Sequence, residues 1–61
     1  MKYGELKRKL RKAGCQFYRE GGRHEIWINP KTGVTFALSR HDHEEAATGT
    51  LNRILKDAGL K

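Results

Sequence analysis

The sequence predicts an α+β domain of order α-β-β-β-α, a three-stranded antiparallel sheet with two helices on one face. Three observations predict it. Apolar residues recur at helical spacing near both ends of the chain. Between those segments the apolar period drops to two. Turns marked by glycine and proline cut the middle region into three short runs.

The first helix rests on Tyr3, Leu6, Leu10 and Ala13, with basic residues filling the other positions. Gly14 follows as its stop, and Lys and Arg in the last turn suit the negative end of the helix dipole. Residues 15–20, which carry Phe17 and Tyr18, read as the first strand. Gly21-Gly22 reads as the hairpin turn, because glycine accepts positive φ. Residues 23–29 read as the second strand, with Ile26-Trp27-Ile28 at its centre. Asn29-Pro30-Lys31-Thr32-Gly33 is the next turn. Residues 34–39 alternate Val34, Phe36 and Leu38 against Thr35, Ala37 and Ser39, a third strand. Residues 40–47 form a polar connection. The last helix repeats the spacing of the first: Leu51-x-x-x-Leu55-x-x-Ala58-Gly59 echoes Leu6-x-x-x-Leu10-x-x-Ala13-Gly14. Thr48 or Thr50 is the expected N-cap and Gly59 the stop. Each helix has one apolar stripe to bury, so both are expected on the same face of the sheet.

Sixty-one residues allow one domain, residues 1–61, with a small core. Lys+Arg number 13 and Asp+Glu 7, for a net charge of +6. The excess is local: residues 1–14 hold six basic side chains against one acidic, and residues 15–61 hold seven against six. An anionic partner is expected. No apolar run is longer than that of Ile26-Trp27-Ile28, so no membrane span or signal segment is expected, and the cytoplasm is the expected location. The single Cys15 forms no internal disulfide and reads as a small buried hydrophobe. His41-Asp42-His43-Glu44-Glu45 has two histidines and three carboxylates, but it reads as a solvated loop because no further ligand has zinc-site spacing. No metal and no cofactor is expected. Of the aromatics, Tyr18 is the one expected at the surface, being out of phase with Cys15 and Phe17.

Several strings together resemble the HicA family, small toxins of bacterial toxin–antitoxin pairs. They are Lys12-Ala13-Gly14, Phe17-Tyr18-Arg19, Gly21-Gly22-Arg23-His24-Glu25-Ile26-Trp27, and Gly49-Thr50-Leu51-Asn52-Arg53-Ile54-Leu55-Lys56-Asp57-Ala58-Gly59-Leu60. The last is the most specific. Arg23 stands where many members have Ser, and Thr48 where many have Pro. The resemblance implies a fold like that of double-stranded-RNA-binding domains, used as a metal-independent endoribonuclease on mRNA. It also implies one catalytic histidine at the start of the second strand, which matches His24, and a HicB-type antitoxin as protein partner.

Imidazole exchanges protons near physiological pH, which suits RNA cleavage. Alternation puts His24 with Ile26 and Ile28, opposite Glu25, Trp27 and Asn29. Trp27 is the expected core residue, since a large aromatic fills more volume, and this leaves the His24 face open. Lys7, Arg8, Lys9, Arg11 and Lys12 of the first helix, with Arg23, are the expected RNA-binding residues, through phosphate contacts. His41 is a possible assistant to His24. The start of the last helix lacks the lysine cluster that grips duplexes, so single-stranded mRNA is the expected substrate. A non-catalytic RNA-binding module using the basic helix and a domain that docks an acidic protein are the alternative functions.

Overall fold

The computed structural model describes the whole chain, Met1–Lys61. Its elements are α1 (Tyr3–Lys12), β1 (Gln16–Gly21), β2 (His24–Asn29), β3 (Val34–Ser39) and α2 (Thr48–Asp57). The strands form one antiparallel sheet in the order β1-β2-β3. The expected α-β-β-β-α order and sheet are present. No helix is long and apolar enough to cross a membrane.

Alternation decides which face of the sheet is covered. Trp27 pairs with Phe36 and Glu25 with Leu38, so these four share a face. Trp27, Phe36 and Leu38 join Leu6 and Leu10 of α1 and Ile54 and Ala58 near α2 in a single buried cluster. Both helices therefore lie on the Trp27 face. Tyr3, Leu51 and Leu55 pack around the rim of the cluster. Phe17 also shares that face, opposite Trp27, yet it sits on the outer strand and is exposed along with Tyr18.

The helices end alike. Gly14 and Gly59 take φ of +99° and +79°. The amide of Cys15 reaches the Leu10 carbonyl and that of Gly14 reaches Arg11. Leu60 to Leu55 and Gly59 to Lys56 repeat the pair, a Schellman motif at each end. The repeated sequence pattern is thus one C-terminal device used twice. Asn29 adds an anchor, donating from Nδ2 to the Ala58 carbonyl at 2.9 Å.

The starts differ from expectation. Ala47, with extended backbone, is the N-cap of α2, and no side chain caps it; Thr48 is already helical. At α1 the polar connection does the capping. The amides of Tyr3 and Gly4 donate to the carbonyls of Glu44 and Asp42 at 3.0 and 2.8 Å. The backbones of Lys2 and Glu45 pair as an isolated antiparallel β-bridge. Orphan amides at a helix start need such acceptors. The connection's acidic side chains are also engaged: Asp42 with Lys7, Glu44 with the Ser39 hydroxyl, and Glu45 with the N-terminal ammonium. The ring centroids of His41 and His43 lie 6.2 Å apart, edge to face.

Two local features shape the sheet near its β1–β2 end. The hairpin turn is Gly22-Arg23, one residue later than expected, with Gly21 still paired to His24. Gly22 takes φ +70° and Arg23 does not take positive φ, the pattern of a type II′ turn. In β1 the register shifts between Phe17 and Arg19, a β-bulge at Tyr18. Phe17 opposes Trp27, but Arg19 opposes Ile26. The bulge moves Arg19 to the uncovered face, where strict alternation from Phe17 would have turned it toward the helices.

Candidate active site

His24 opens β2 directly after the turn. It is exposed, and it stands with Ile26 and Ile28 on the face that carries no helix. Its cross-strand neighbours are Gly21 and Ser39, so no large side chain flanks it in the ladder. Gly21 leaves room for the Ile26 side chain, which leans over it. A Cβ on it would come within 2.5 Å of Ile26 Cγ1 and 3.1 Å of the His24 carbonyl oxygen.

A groove of about 520 Å³ runs from His24 across the sheet to α2. Arg19, Ile26, Thr35 and Ala37 form its floor on the open face. Tyr3, Thr50, Arg53, Ile54 and Asp57 form the far wall. Because residues from both faces of β3 line it, the groove wraps around the unpaired edge of that strand. Arg19 and Arg53 bring positive charge to it, and neither is ion-paired. His41 is not among its lining residues.

The cations expected from the sequence are distributed otherwise. Lys7 is buried on the inner side of α1, where its ammonium meets Asp42 Oδ1 at 2.6 Å and Glu25 Oε1 at 3.1 Å. It is not on the surface where a phosphate contact was expected. The apolar spacing of α1 explains this: Lys7 follows Leu6 and faces the sheet near Leu10, so its charge needs internal partners. The Arg11 guanidinium lies 5.0 Å from the Trp27 ring centroid. Arg8, Lys9 and Lys12 are exposed and, with Glu5, line a shallow hollow on the outside of α1. Arg23 is exposed in the hairpin turn. The sheet therefore separates the outer surface of α1 from the face that bears His24.

Glu25, next to His24 but on the covered face, ties this end of β2 down. It accepts from Trp27 Nε1 at 3.0 Å and from Lys7. Burial pushes its carboxyl up, but hydrogen bonds from Trp27 and Lys7 and the charge of Lys7 outweigh this and hold it below the ordinary range. The hydrogen bond from Lys7 likewise holds Asp42 low, against a smaller opposing effect of burial. Groups with depressed folded values stabilise the fold while ionised, and that contribution is lost as pH falls through those values. Lys7→Met should therefore cost about 1–2 kcal/mol at neutral pH, discounted for the exposed Asp42. The gap to the parent should narrow below about pH 4, as both carboxylates protonate. Urea unfolding at pH 7 and pH 3 measures both effects.

Burial pushes the Cys15 thiol up, which disfavours the nucleophilic thiolate. No three His, Cys, Asp or Glu side chains converge as a metal site. Arg19 and Arg53 were not singled out from the sequence. The first depends on the bulge, and the second on how α2 meets the edge of β3.

Comparison with known proteins bears on these elements together. A family model described as the HicA toxin of bacterial toxin-antitoxin matches residues 3–60. No curated protein and no solved structure is matched. The matched span starts at the first residue of α1 and extends past the Gly59 stop of α2. The chain therefore belongs to the HicA toxin family and is a toxin of a toxin–antitoxin system.

Proposed function

We propose that the protein is a cytoplasmic, metal-independent endoribonuclease that cleaves mRNA, with His24 as its catalytic acid–base residue. The observation that carries this reading is the exposure of His24 on an open groove, in a chain of the HicA family. Cleavage of RNA needs no redox step and no external group. The 2′-oxygen attacks phosphorus, the bond from phosphorus to the 5′-oxygen breaks, and a 2′,3′-cyclic phosphate remains. One proton leaves the 2′-hydroxyl and one reaches the departing 5′-oxygen. An imidazole can take the first or give the second, and such transfer typically contributes about 10²–10⁴-fold.

The exposed Arg8, Lys9, Lys12 and Arg23 attract the polyanion at long range. Lys7 has no part in this, being held by Asp42 and Glu25. The protein partner is a HicB-type antitoxin that covers the open face and so closes the groove.

The test is incubation of mRNA with the pure protein in EDTA. Fragments ending in 2′,3′-cyclic phosphate are expected. Expression in cells should arrest growth, and co-expression of the antitoxin should restore it. RNA that stays intact under these conditions refutes the reading.

A further inference from the structure

We infer that Arg19 of β1 and Arg53 of α2 are the phosphate-holding residues of the His24 groove, and that the cations of α1 are not. This rests on the ribonuclease reading and adds to it the residues that bind the reacting phosphate. A lone imidazole moves a proton but does not neutralise the charge that gathers on the phosphorane oxygens. That charge is best met by fixed donors in the same site.

The cations near His24 can be sorted by what already holds them. Arg40 is paired with Glu20 at 2.5 Å and donates to the Gly22 carbonyl. Arg11 covers the Trp27 ring on the other side of the sheet. Arg8, Lys9 and Lys12 lie on the outer surface of α1, beyond the helix layer. Arg19 and Arg53 alone among the cations line the groove with His24, and no carboxylate pairs with either; Arg19 donates only to the neighbouring Glu20 carbonyl, at 3.3 Å on the surface.

The register then places them. Arg19 opposes Ile26, two residues along β2 from His24, so it is the diagonal neighbour of His24 on one face. Diagonal positions in an antiparallel pair have Cα atoms about 7–8 Å apart, within reach of a long side chain. The Ile26 side chain leans over Gly21 between them, so the two polar side chains meet a phosphate above an apolar floor. Arg53 faces the same space from α2, across the β3 edge. One phosphate held between His24 and Arg19 leaves the next for Arg53, so the RNA strand crosses the edge of β3. Asp57 also lines the groove, and its single charge against two guanidiniums leaves the wall positive. The guanidinium fork matches two phosphate oxygens, a fit that lysine lacks.

The experiment has a binding arm and a cleavage arm. For binding, Arg19→Met, Arg53→Met and Lys31→Met are each placed in a His24→Ala background. Affinity for single-stranded RNA is then followed over a salt series. Each arginine variant should bind roughly tenfold more weakly and reduce the slope of log affinity against log salt by about 0.7, one phosphate contact on a single strand. Lys31→Met, in the β2–β3 turn, should match the parent. For cleavage, Arg19→Met and Arg53→Met with His24 intact should lose about 10²-fold in kcat/KM. Arg→Lys at each position should recover part of the loss, which a purely structural role would not show. Arginine variants that bind and cut like the parent overturn the inference, whatever the fate of the ribonuclease reading. A combined Arg8→Met/Lys9→Met/Lys12→Met protein should keep the parent kcat at saturating RNA, since long-range attraction acts only on encounter; one that loses as much kcat as the arginine variants also overturns it. RNA that is bound through both arginines but never cut supports the inference while the ribonuclease reading falls. A chain that binds no RNA defeats both.

Discussion

His24→Ala should retain the fold and lose RNA cleavage by about 10²–10⁴-fold, the usual contribution of an acid–base group. The fold survives because nothing structural depends on the imidazole. His24 is exposed, and its strand is held by backbone pairing to Gly21 on one side and Ser39 on the other. Exposed substitutions of this kind usually change stability by no more than about 0.5 kcal/mol. The residue that fixes this end of β2 is Glu25, through Lys7 and Trp27, and it is untouched. Cleavage rates and thermal melts of parent and variant decide the matter together. A folded His24→Ala protein with full activity removes His24 from the mechanism. A variant that melts early would mean that the loss of activity says nothing about chemistry.

Trp27→Ala should remove a large share of the protein's stability, on the order of half. Trp27 is 1% exposed and is the largest fully buried side chain. Its truncation in a core typically costs about 3–5 kcal/mol. A chain of this length has about 3–9 kcal/mol in all. The ring is also tied at two further points, the Nε1–H to Glu25 and the face to Arg11. Removing it leaves Glu25 with Lys7 alone and opens a void between α1 and the sheet. Trp27→Phe separates the two losses, since it keeps most of the packing and deletes only the polar contact. It should cost about 1–3 kcal/mol and remain folded. Far-UV circular dichroism under urea measures both variants, since Trp27 is the only tryptophan and its fluorescence disappears with it. A Trp27→Ala protein as stable as the parent would deny Trp27 its central place in the core.

The fold was legible because local signals agreed with one another. Period-two runs, glycine-marked turns and two copies of one helix ending all pointed to the same order. The choice of Trp27 over the isoleucines as the buried set followed from volume, and the structure has Trp27 buried with Ile26 and Ile28 only partly covered. What escaped was set by tertiary context. The hairpin turn begins one residue later because Gly21 keeps its pairing with His24. Capping of α1 falls to carbonyls forty residues away, which no local motif announces. Lys7 looked like one more surface cation in a basic run, although its position beside Leu6 put it on the inner side. Phe17 looked like a core residue by type, but it sits on an outer strand past the reach of the helices. Of the groove, only His24 was legible. Arg19 depends on a register shift, and Arg53 on a wall built from a distant helix.

The bulge at Tyr18 has a second consequence, for the company the protein keeps with its own copies. β1 is an outer strand with its far side unpaired, and it displays Phe17 and Tyr18 to solvent. A straight strand of that composition would offer a ready template for another chain to add to the sheet. The extra residue interrupts the regular spacing of free amides and carbonyls midway along the strand and bends it. A neighbouring strand laid against it would stay in step for two residues and then lose register. The irregularity that turns an arginine toward the groove thus also blunts the edge against self-association.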